Sequence, residues 1–503
     1  MANISRRSVL KNASLAALAA VGSTAACATA VEPKQWDKTC EVLIIGAGAA
    51  GLFASISAKE SGAKSVVVID KNVTPFLNAT CYSAGYVTAS GTKVQAKEGI
   101  DDKDGKPELV KEIMKTGANL GNQDLVELFV AHGAEALDWL TDHGVELHTI
   151  ENPSYRVRRM YANSKASGSA YSAVLYPAAQ KLGATFEFKT RACELVTTPD
   201  GNKVIGVVVE KDGKRSAYKA EKGVLIATGG FASSGEMIDD YLLTFRGAVS
   251  AAAPSSVGEG IRMAGKIGAA TTHMDFAAVY AYGVPTDVEK SRGIILRAHR
   301  MNLHGPIIVG QNGKRFIKDE ASPTAVSNAM AQMGLRNVYI IATRPQIDAW
   351  LKEDPLQFFG ATRDQFLKEL DEQKLFARRA DTIEELAGKL GVDPKGLTET
   401  IRRYQGFVKA GEDADFHREF MNGDFSKGPF YGFICTPIVL VTIGGLKVNK
   451  RLQVLDMYGK PIEGLYAAGE VLGAIHGNSY TSGNSLGAAL TFGKQAGKYM
   501  MGK

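Results

Sequence analysis

The feature that most constrains this chain is Gly46-Ala47-Gly48-Ala49-Ala50-Gly51, set between an apolar run, Val42 to Ile45, and an Ala-rich helical stretch, Ala49 to Lys59. A second apolar run, Val66 to Ile69, follows and closes on Asp70. Strand, glycine turn, helix and strand form a βαβ unit, which requires a parallel sheet with a right-handed crossover. Gly46 permits the tight turn, Gly48 lets the backbone approach a pyrophosphate, and Gly51 lets helix and strand pack closely. The helix N-terminus then faces the anionic phosphates, and Asp70 stands where an acid binds a ribose. The pattern predicts an α/β protein with a Rossmann-like dinucleotide-binding domain.

Further along, helical patterns occupy Pro107 to Leu120, Asp124 to His143 and Ser169 to Leu182. Val204 to Glu210, the turn Lys211-Asp212-Gly213-Lys214 and the run from Ala217 read as a hairpin leading into a buried strand, Gly223 to Ala227. From Ala277 to Lys427 the texture changes to short mixed strands and helices, such as Pro345 to Lys352 and the charged helical run Thr382 to Lys409. The sheet pattern returns at Val439 and at Gly464 to Ala467. These shifts predict a dinucleotide-binding first domain in two parts, 38–276 and 428–503, with an inserted α+β capping domain, 277–427, that holds the substrate side. At 503 residues the chain is long enough for two cores.

The net charge of +6 is small, and Arg6, Arg7 and Lys11 carry three of it, so no nucleic-acid partner is expected. Five cysteines, Cys27, Cys40, Cys81, Cys193 and Cys435, stand apart from one another. No haem-attachment, iron-sulfur or zinc spacing is present, so the chain carries no such centre of its own and no metal site is expected. Residues 1–30 read as an export leader: Ser5-Arg6-Arg7-Ser8-Val9-Leu10-Lys11, then an uncharged run from Ala13 to Ala26. That run is shorter than the ~20 apolar residues of a membrane span. The paired arginines resemble a twin-arginine signal, although Val9 stands where Phe is commoner. Cleavage after Ala30 to a periplasmic form and lipid anchoring at Cys27 both remain open.

Three more segments choose FAD over NAD: Val224 to Phe231, reading VLIATGGF; Gly464 to Val471, reading GLYAAGEV; and Gly483-Asn484-Ser485-Leu486-Gly487, opening an apolar helix. Together with Ser256 to Gly260, Gly313-Lys314-Arg315-Phe316 and Gly411 to Phe416, they make the sequence resemble the fumarate reductase/succinate dehydrogenase flavoprotein superfamily from about Thr39 to the C-terminus. The resemblance implies an FAD-dependent oxidoreductase. It implies cofactor contacts from Gly46, Gly48, Ala49, Ala50, Gly51, Asp70 and Lys71; from Asn78, Thr80, Ser83 and Gly85; from Ala227, Thr228 and Gly229; and from Glu470, Asn484, Ser485 and Leu486. In that family the acid matching Asp70 holds the adenosine ribose, the acid matching Glu470 touches the ribityl chain, and the helix at Ser485 points at the flavin C2 oxygen. Respiratory members attach FAD through a histidine in the loop after the second strand. Here that loop, Asn78 to Gly85, has none, so non-covalent FAD is expected.

The substrate half departs from the family. By gapless matching, its proton-donating arginine falls on Pro323 and the histidine of its H-T-x-G-G element on Val441. A second histidine falls on or near Tyr280, and a second arginine on Tyr480. A dicarboxylate grip is therefore not expected. Ser479-Tyr480-Thr481-Ser482-Gly483 instead resembles the Y-x-S-G element of 3-ketosteroid dehydrogenases acting at the 4,5-bond. That resemblance implies catalytic roles for Tyr480 and Ser482, with Tyr280 as a second phenol able to stabilise an enolate or donate a proton. The plainer alternatives are that Tyr480 packs on the flavin and Ser482 caps the following helix. Arg297, His299, Arg300 and His304 form a basic cluster that is either a solvated face or a proton path.

The expected activity is that of an exported reductase of an activated C=C bond, in an enone or unsaturated acid, drawing electrons from an external donor such as a cytochrome or quinol-linked protein. A ketosteroid-type dehydrogenase running oxidatively is the alternative. A fumarate reductase fits the substrate half poorly, and a pure electron carrier would not need so large an insertion.

Overall fold

The computed structural model describes residues 32–287, 292–296, 298–353, 363–479 and 481–503. The chain opens with β1 (Lys38–Ile45), α1 (Ala49–Glu60), β2 (Val66–Ile69) and the short α2 (Ala79–Tyr82). Helices α3 (Gly105–Thr116), α4 (Gln123–Asp142) and α5 (Ser169–Lys181) follow, close to the three periodic stretches. Next come β3 (Thr185–Glu187), β4 (Arg191–Thr197), β5 (Val204–Lys211), β6 (Lys214–Ile226), β7 (Val249–Ser250) and α6 (Glu259–Gly265). The second half holds β8 (Ala277–Asp287), β9 (Arg292–Ile295), β10 (Ile307–Val309), α7 (Pro323–Gln332), β11 (Val338–Thr343), β12 (Ala377–Ala380) and β13 (Phe430–Thr442). It closes with β14 (Gln453–Leu455), β15 (Pro461–Ala467) and α8 (Asn484–Met500).

Two sheets organise these elements. The first has strand order β14-β15-β6-β1-β2-β3, with β4 and β5 attached through β6. Its centre is parallel: β1 pairs with β2 and β6, β2 with β3, and β6 with β15. Strands β1, β2 and the end of β6 are apolar and buried because helices cover the sheet. Lys211 pairs with Lys214 across the expected hairpin, and Asp212 (φ 50°) with Gly213 (φ 76°) gives the two positive φ values of a tight turn that follows the strand twist.

The second sheet has order β7-β9-β8-β13-β11-β10, with β12 also on β13. The 13-residue β13 is its spine. The first half of β13 pairs with β11 and β12, and the second half with β8 and β7. Val439 therefore sits in this sheet, opposite Val279, and not in the returning first sheet. Its apolar run suits a central strand of either sheet, so sequence could not place it. The run Thr382 to Lys409 is two helices, Ile383–Leu390 and Pro394–Ala410, because Gly391 takes φ 70° as a left-handed cap and Pro394 opens the next helix.

Two motifs distant in sequence are fastened together behind this sheet. Arg315 donates to Asp319 at 2.5 Å and to Asp413 at 2.6 Å, and Arg418 lies 3.4 Å from Asp319. All four side chains are buried, so every charge has an opposite partner. Among the described residues no helix is long and apolar enough to cross a membrane, no group of side chains could hold a metal, and Cys40, Cys81, Cys193 and Cys435 are free thiols.

Candidate active site

The glycine turn after β1 separates into two kinds of position. Gly46 takes φ 110°, and a Cβ there would overlap the Ala227 carbonyl; a Cβ at Gly51 would overlap the Gly46 carbonyl. Both are dictated by close backbone packing. A Cβ on Gly48 would instead sit in ordinary contact with Thr80 Oγ1 at 3.5 Å, so this glycine, the N-cap of α1, is not dictated by close packing. Asp70 organises the turn from below, accepting from Ala47 N–H and Asn72 N–H, each at 2.7 Å, and burial pushes its carboxyl above the ordinary range.

The loop after β2 is tied to the same turn. Thr80 Oγ1 accepts from Ala49 N–H at 2.9 Å, and Asn78 donates to Ala47 O at 3.2 Å while capping α2. Ser83 donates to Thr80 O at 2.7 Å and receives Gly85 N–H at 3.2 Å. The Lys71 ammonium meets Glu259, the first residue of α6, which also receives Arg191 at 2.8 Å. Ala50 lies under Gly493, where a Cβ would overlap Ala50 O, so α1 and α8 run in backbone contact.

A second wall stands at the end of β13 and the start of α8. Glu470 is half-buried and accepts from Thr442 N–H at 3.0 Å and from Thr442 Oγ1 at 3.1 Å. Phe231 N–H donates to Thr442 Oγ1 at 3.2 Å, and a Cβ on Gly230 would strike both Thr442 and Glu470. Burial pushes the Glu470 carboxyl up. A cavity here is lined by Thr442, Ile443, Glu470, His476, Ser485 and Phe492. Burial pushes His476 down to about 4, so its imidazole is neutral near pH 7. Asn484, the first residue of α8, accepts from Tyr155 OH at 2.7 Å, and Ser485 and Leu486 complete the first turn.

Thr442 and His476 are site residues that the sequence reading missed. Thr442 follows Val441 in a motif read for its lost histidine, and His476 stands four residues before Tyr480 in the same loop.

The expected catalytic residues are placed unevenly. Tyr480 lies outside the described residues, as do Arg297 and the side chain of His299. Ser482 is exposed in the turn before α8 and does not cap it: Gly483 is the cap residue, at φ 99°, with no side-chain cap bond. A left-handed cap excludes the extended backbone that a serine cap adopts. Tyr280 is half-buried on β8 opposite Ile438, packed with Val249 and Ile295, and burial pushes its phenol up. No hydrogen bond joins Tyr280 to Ser482 among the described residues. Val441 pairs with Ala278, two residues from Tyr280, and Pro323 opens α7. Arg300 is exposed on the helix Ala298–Met301, and His304 is half-buried beyond it.

A family model described as FAD binding domain matches residues 41–486, nearly the whole described chain. The chain belongs to the FAD-binding domain family. Among curated proteins it is 32% identical to a probable fumarate reductase of Shewanella frigidimarina, over 92% of this chain and 74% of that protein. It is 28% identical to the acrylate reductase flavoprotein subunit of Shewanella woodyi, over 99% of this chain and 98% of that protein. A flavocytochrome c3 fumarate reductase in its open conformation superposes with a TM-score of 0.76 at 30% identity, covering 93% of this chain and 79% of the other. The 3-ketosteroid-delta4-(5alpha)-dehydrogenase of Rhodococcus jostii gives 0.71 at 24% identity, over 93% and 98%, which shows a shared fold.

As a member of this FAD-binding family the protein is a flavin-dependent oxidoreductase, and its own residues fit the cofactor. Gly48, which packing does not require to be glycine, keeps the backbone bare at the N-terminus of α1 where a pyrophosphate would be met, and Asp70 presents a buried acid after β2. Thr228 Oγ1, directly after Ala227, is buried without a hydrogen-bond partner, and Gly229 next to it takes φ 76°. An orphaned buried hydroxyl in this loop is what a ligand oxygen satisfies. At the far end, the N-terminus of α8 favours the negative charge of a reduced flavin.

Proposed function

We propose that the protein reduces an activated C=C bond in a substrate other than a dicarboxylate, an enone or unsaturated acid, using electrons from a separate redox protein. One observation carries this reading. The cofactor wall of Gly230, Thr442, Glu470 and α8 is complete, whereas the positions at which the family grips two carboxylates hold Tyr280, Pro323, Val441 and Tyr480. The similarity to the acrylate reductase subunit supports it, because acrylate has one carboxylate.

FAD held by the Gly46–Gly51 turn, Asp70 and the N-terminus of α8 would supply the hydride-transfer chemistry. The protein's residues do the rest. Thr442 holds Glu470 in the wall that would face the cofactor, the N-terminus of α8 would stabilise negative charge there, and Ile443 and Phe492 give the cavity an apolar lining. A phenol, Tyr280 or Tyr480, donates to the substrate carbonyl oxygen, carrying enolate charge or delivering the proton. Residues 1–30 direct export by the twin-arginine route, which places the enzyme in the cell envelope, soluble or anchored at Cys27. The electron donor is a cytochrome or quinol-linked protein.

The test is anaerobic turnover with reduced viologen against acrylate, fumarate, neutral enones and 3-ketosteroids. Oxidation of viologen dependent on a monoacid or enone, with fumarate slow, is the expected result. Fumarate as the fastest substrate would overturn it. With an oxidised acceptor dye in place of reduced viologen, dye reduction dependent on a 3-ketosteroid, with no reductive turnover of any alkene, would support the dehydrogenase direction.

A further inference from the structure

Beside the start of β9, one guanidinium is held by two serine hydroxyls. Arg292, the first residue of β9, is half-buried, and its Nη1 donates to Ser233 Oγ at 2.8 Å and to Ser250 Oγ at 3.4 Å. Both acceptors are neutral, and Ser233 spends its own proton on Ala253 O at 2.9 Å. Among the described residues no carboxylate stands at ion-pair distance, and burial pulls the Arg292 pKa down. The buried arginines elsewhere behave differently: Arg159 meets Asp102 and Glu112, and Arg315 meets Asp319 and Asp413. A partly desolvated charge with only hydroxyl partners is costly unless an anion completes it.

The geometry says which anion and where. With Nη1 turned to the serines, Nε and Nη2 remain, the parallel pair of donors that matches a carboxylate in bidentate fashion. Ser250 is in register with both Arg292 and Val439, and Val439 stands three residues before Thr442 on β13, about 10 Å at ~3.3 Å per residue. Ser233 stands three residues after Gly230, whose backbone touches Thr442 and Glu470. Both hydroxyls therefore lead back to the cofactor wall. The guanidinium is itself only half-buried, and the Tyr82 phenol of α2, within its electrostatic reach, is 46% exposed, so this place is open to solvent on one side.

We propose that Arg292, oriented by Ser233 and Ser250, is an anion subsite for the substrate carboxylate, so that the preferred substrate is an α,β-unsaturated monocarboxylate and not a neutral enone. This rests on the reductase reading, and the experiment separates the two. Oxidised holoenzyme is titrated with acrylate and with methyl acrylate, following the flavin absorbance, in the wild type, R292Q and R292K; FAD retention is measured alongside. Expected is an acrylate affinity lowered on the order of ten- to a hundred-fold in R292Q, partly kept in R292K, with methyl acrylate and FAD binding unchanged. Equal losses for acid and ester, loss of FAD, no change, or no acrylate binding to the wild type would each overturn the subsite. Viologen turnover of the same proteins tests the reductase reading: failure of all turnover with acrylate binding still dependent on Arg292 would sink that reading and leave the subsite standing.

Discussion

Thr442 shows how one side chain organises the flavin wall. Its hydroxyl accepts from Phe231 N–H and donates to Glu470, while its own N–H donates to the same carboxylate. Thr442→Val keeps the shape but leaves the half-buried Glu470 carboxyl one donor short. A net loss of about 1–3 kcal/mol is expected for such a group, so apoprotein titrated with FAD should bind roughly ten-fold more weakly or worse. Unchanged FAD affinity would remove Thr442 from the site. Gly51→Ala is harsher, since its Cβ would overlap Gly46 O; the purified variant should lack yellow colour and melt earlier. The loop Asn78 to Gly85 offers no histidine to the flavin, so acid-denatured holoenzyme should release all of its FAD into the supernatant. Gly51 and its neighbours were legible because the glycine turn and Asp70 are contiguous signals. Thr442, His476 and Arg292 were not, because their significance lies in neighbours more than 20 residues away, such as Gly230 and Ser233. The capping alternative for Ser482 fails for a local reason: serine is a common cap, but Gly483 takes the cap position in the left-handed region.

Among the elements, β13 joins the two halves of the chemistry. One strand carries Val441 and Thr442 to the flavin wall and the pairing partners of Tyr280 and Ser250 to the second sheet. Its position was ambiguous from sequence, since an apolar run specifies burial but not the sheet. The hairpin at Asp212-Gly213 and helices α3 to α5 were predictable from turn chemistry and period alone. Behind β13, Arg315 ties the segment after β10 to Asp413. Burial pushes the Asp413 carboxyl up, but hydrogen bonds and the charge of Arg315 outweigh it and set the carboxyl below its ordinary value. A depressed carboxyl contributes stability that is present above the unfolded value, about 3.9, and is lost as pH falls through the folded one. Asp413→Asn should therefore cost about 3–5 kcal/mol at pH 7, as expected for breaking a buried pair, with the difference from wild type narrowing in acid. Urea unfolding at pH 7 and in the acid range checks this, and a difference that grows in acid would contradict it.

Across the whole molecule, a Rossmann-like sheet with the FAD turn at one end and a second sheet built on β13 is an arrangement shared with fumarate reductases and with a ketosteroid dehydrogenase. The fold therefore supplies the flavin chemistry, and the residues facing it decide the substrate. The export proposal belongs to this scale: replacing Arg6 and Arg7 by lysine should hold folded, FAD-loaded protein in the cytoplasm on fractionation, and normal export would exclude the twin-arginine route. The central claim is that a complete flavin site here faces a substrate half no longer built for two carboxylates. Anaerobic stopped-flow reoxidation of the reduced enzyme by acrylate and by fumarate tests it most directly. Faster reoxidation by acrylate is the predicted result, and faster reoxidation by fumarate, or none by either acid or by a neutral enone, would contradict the account.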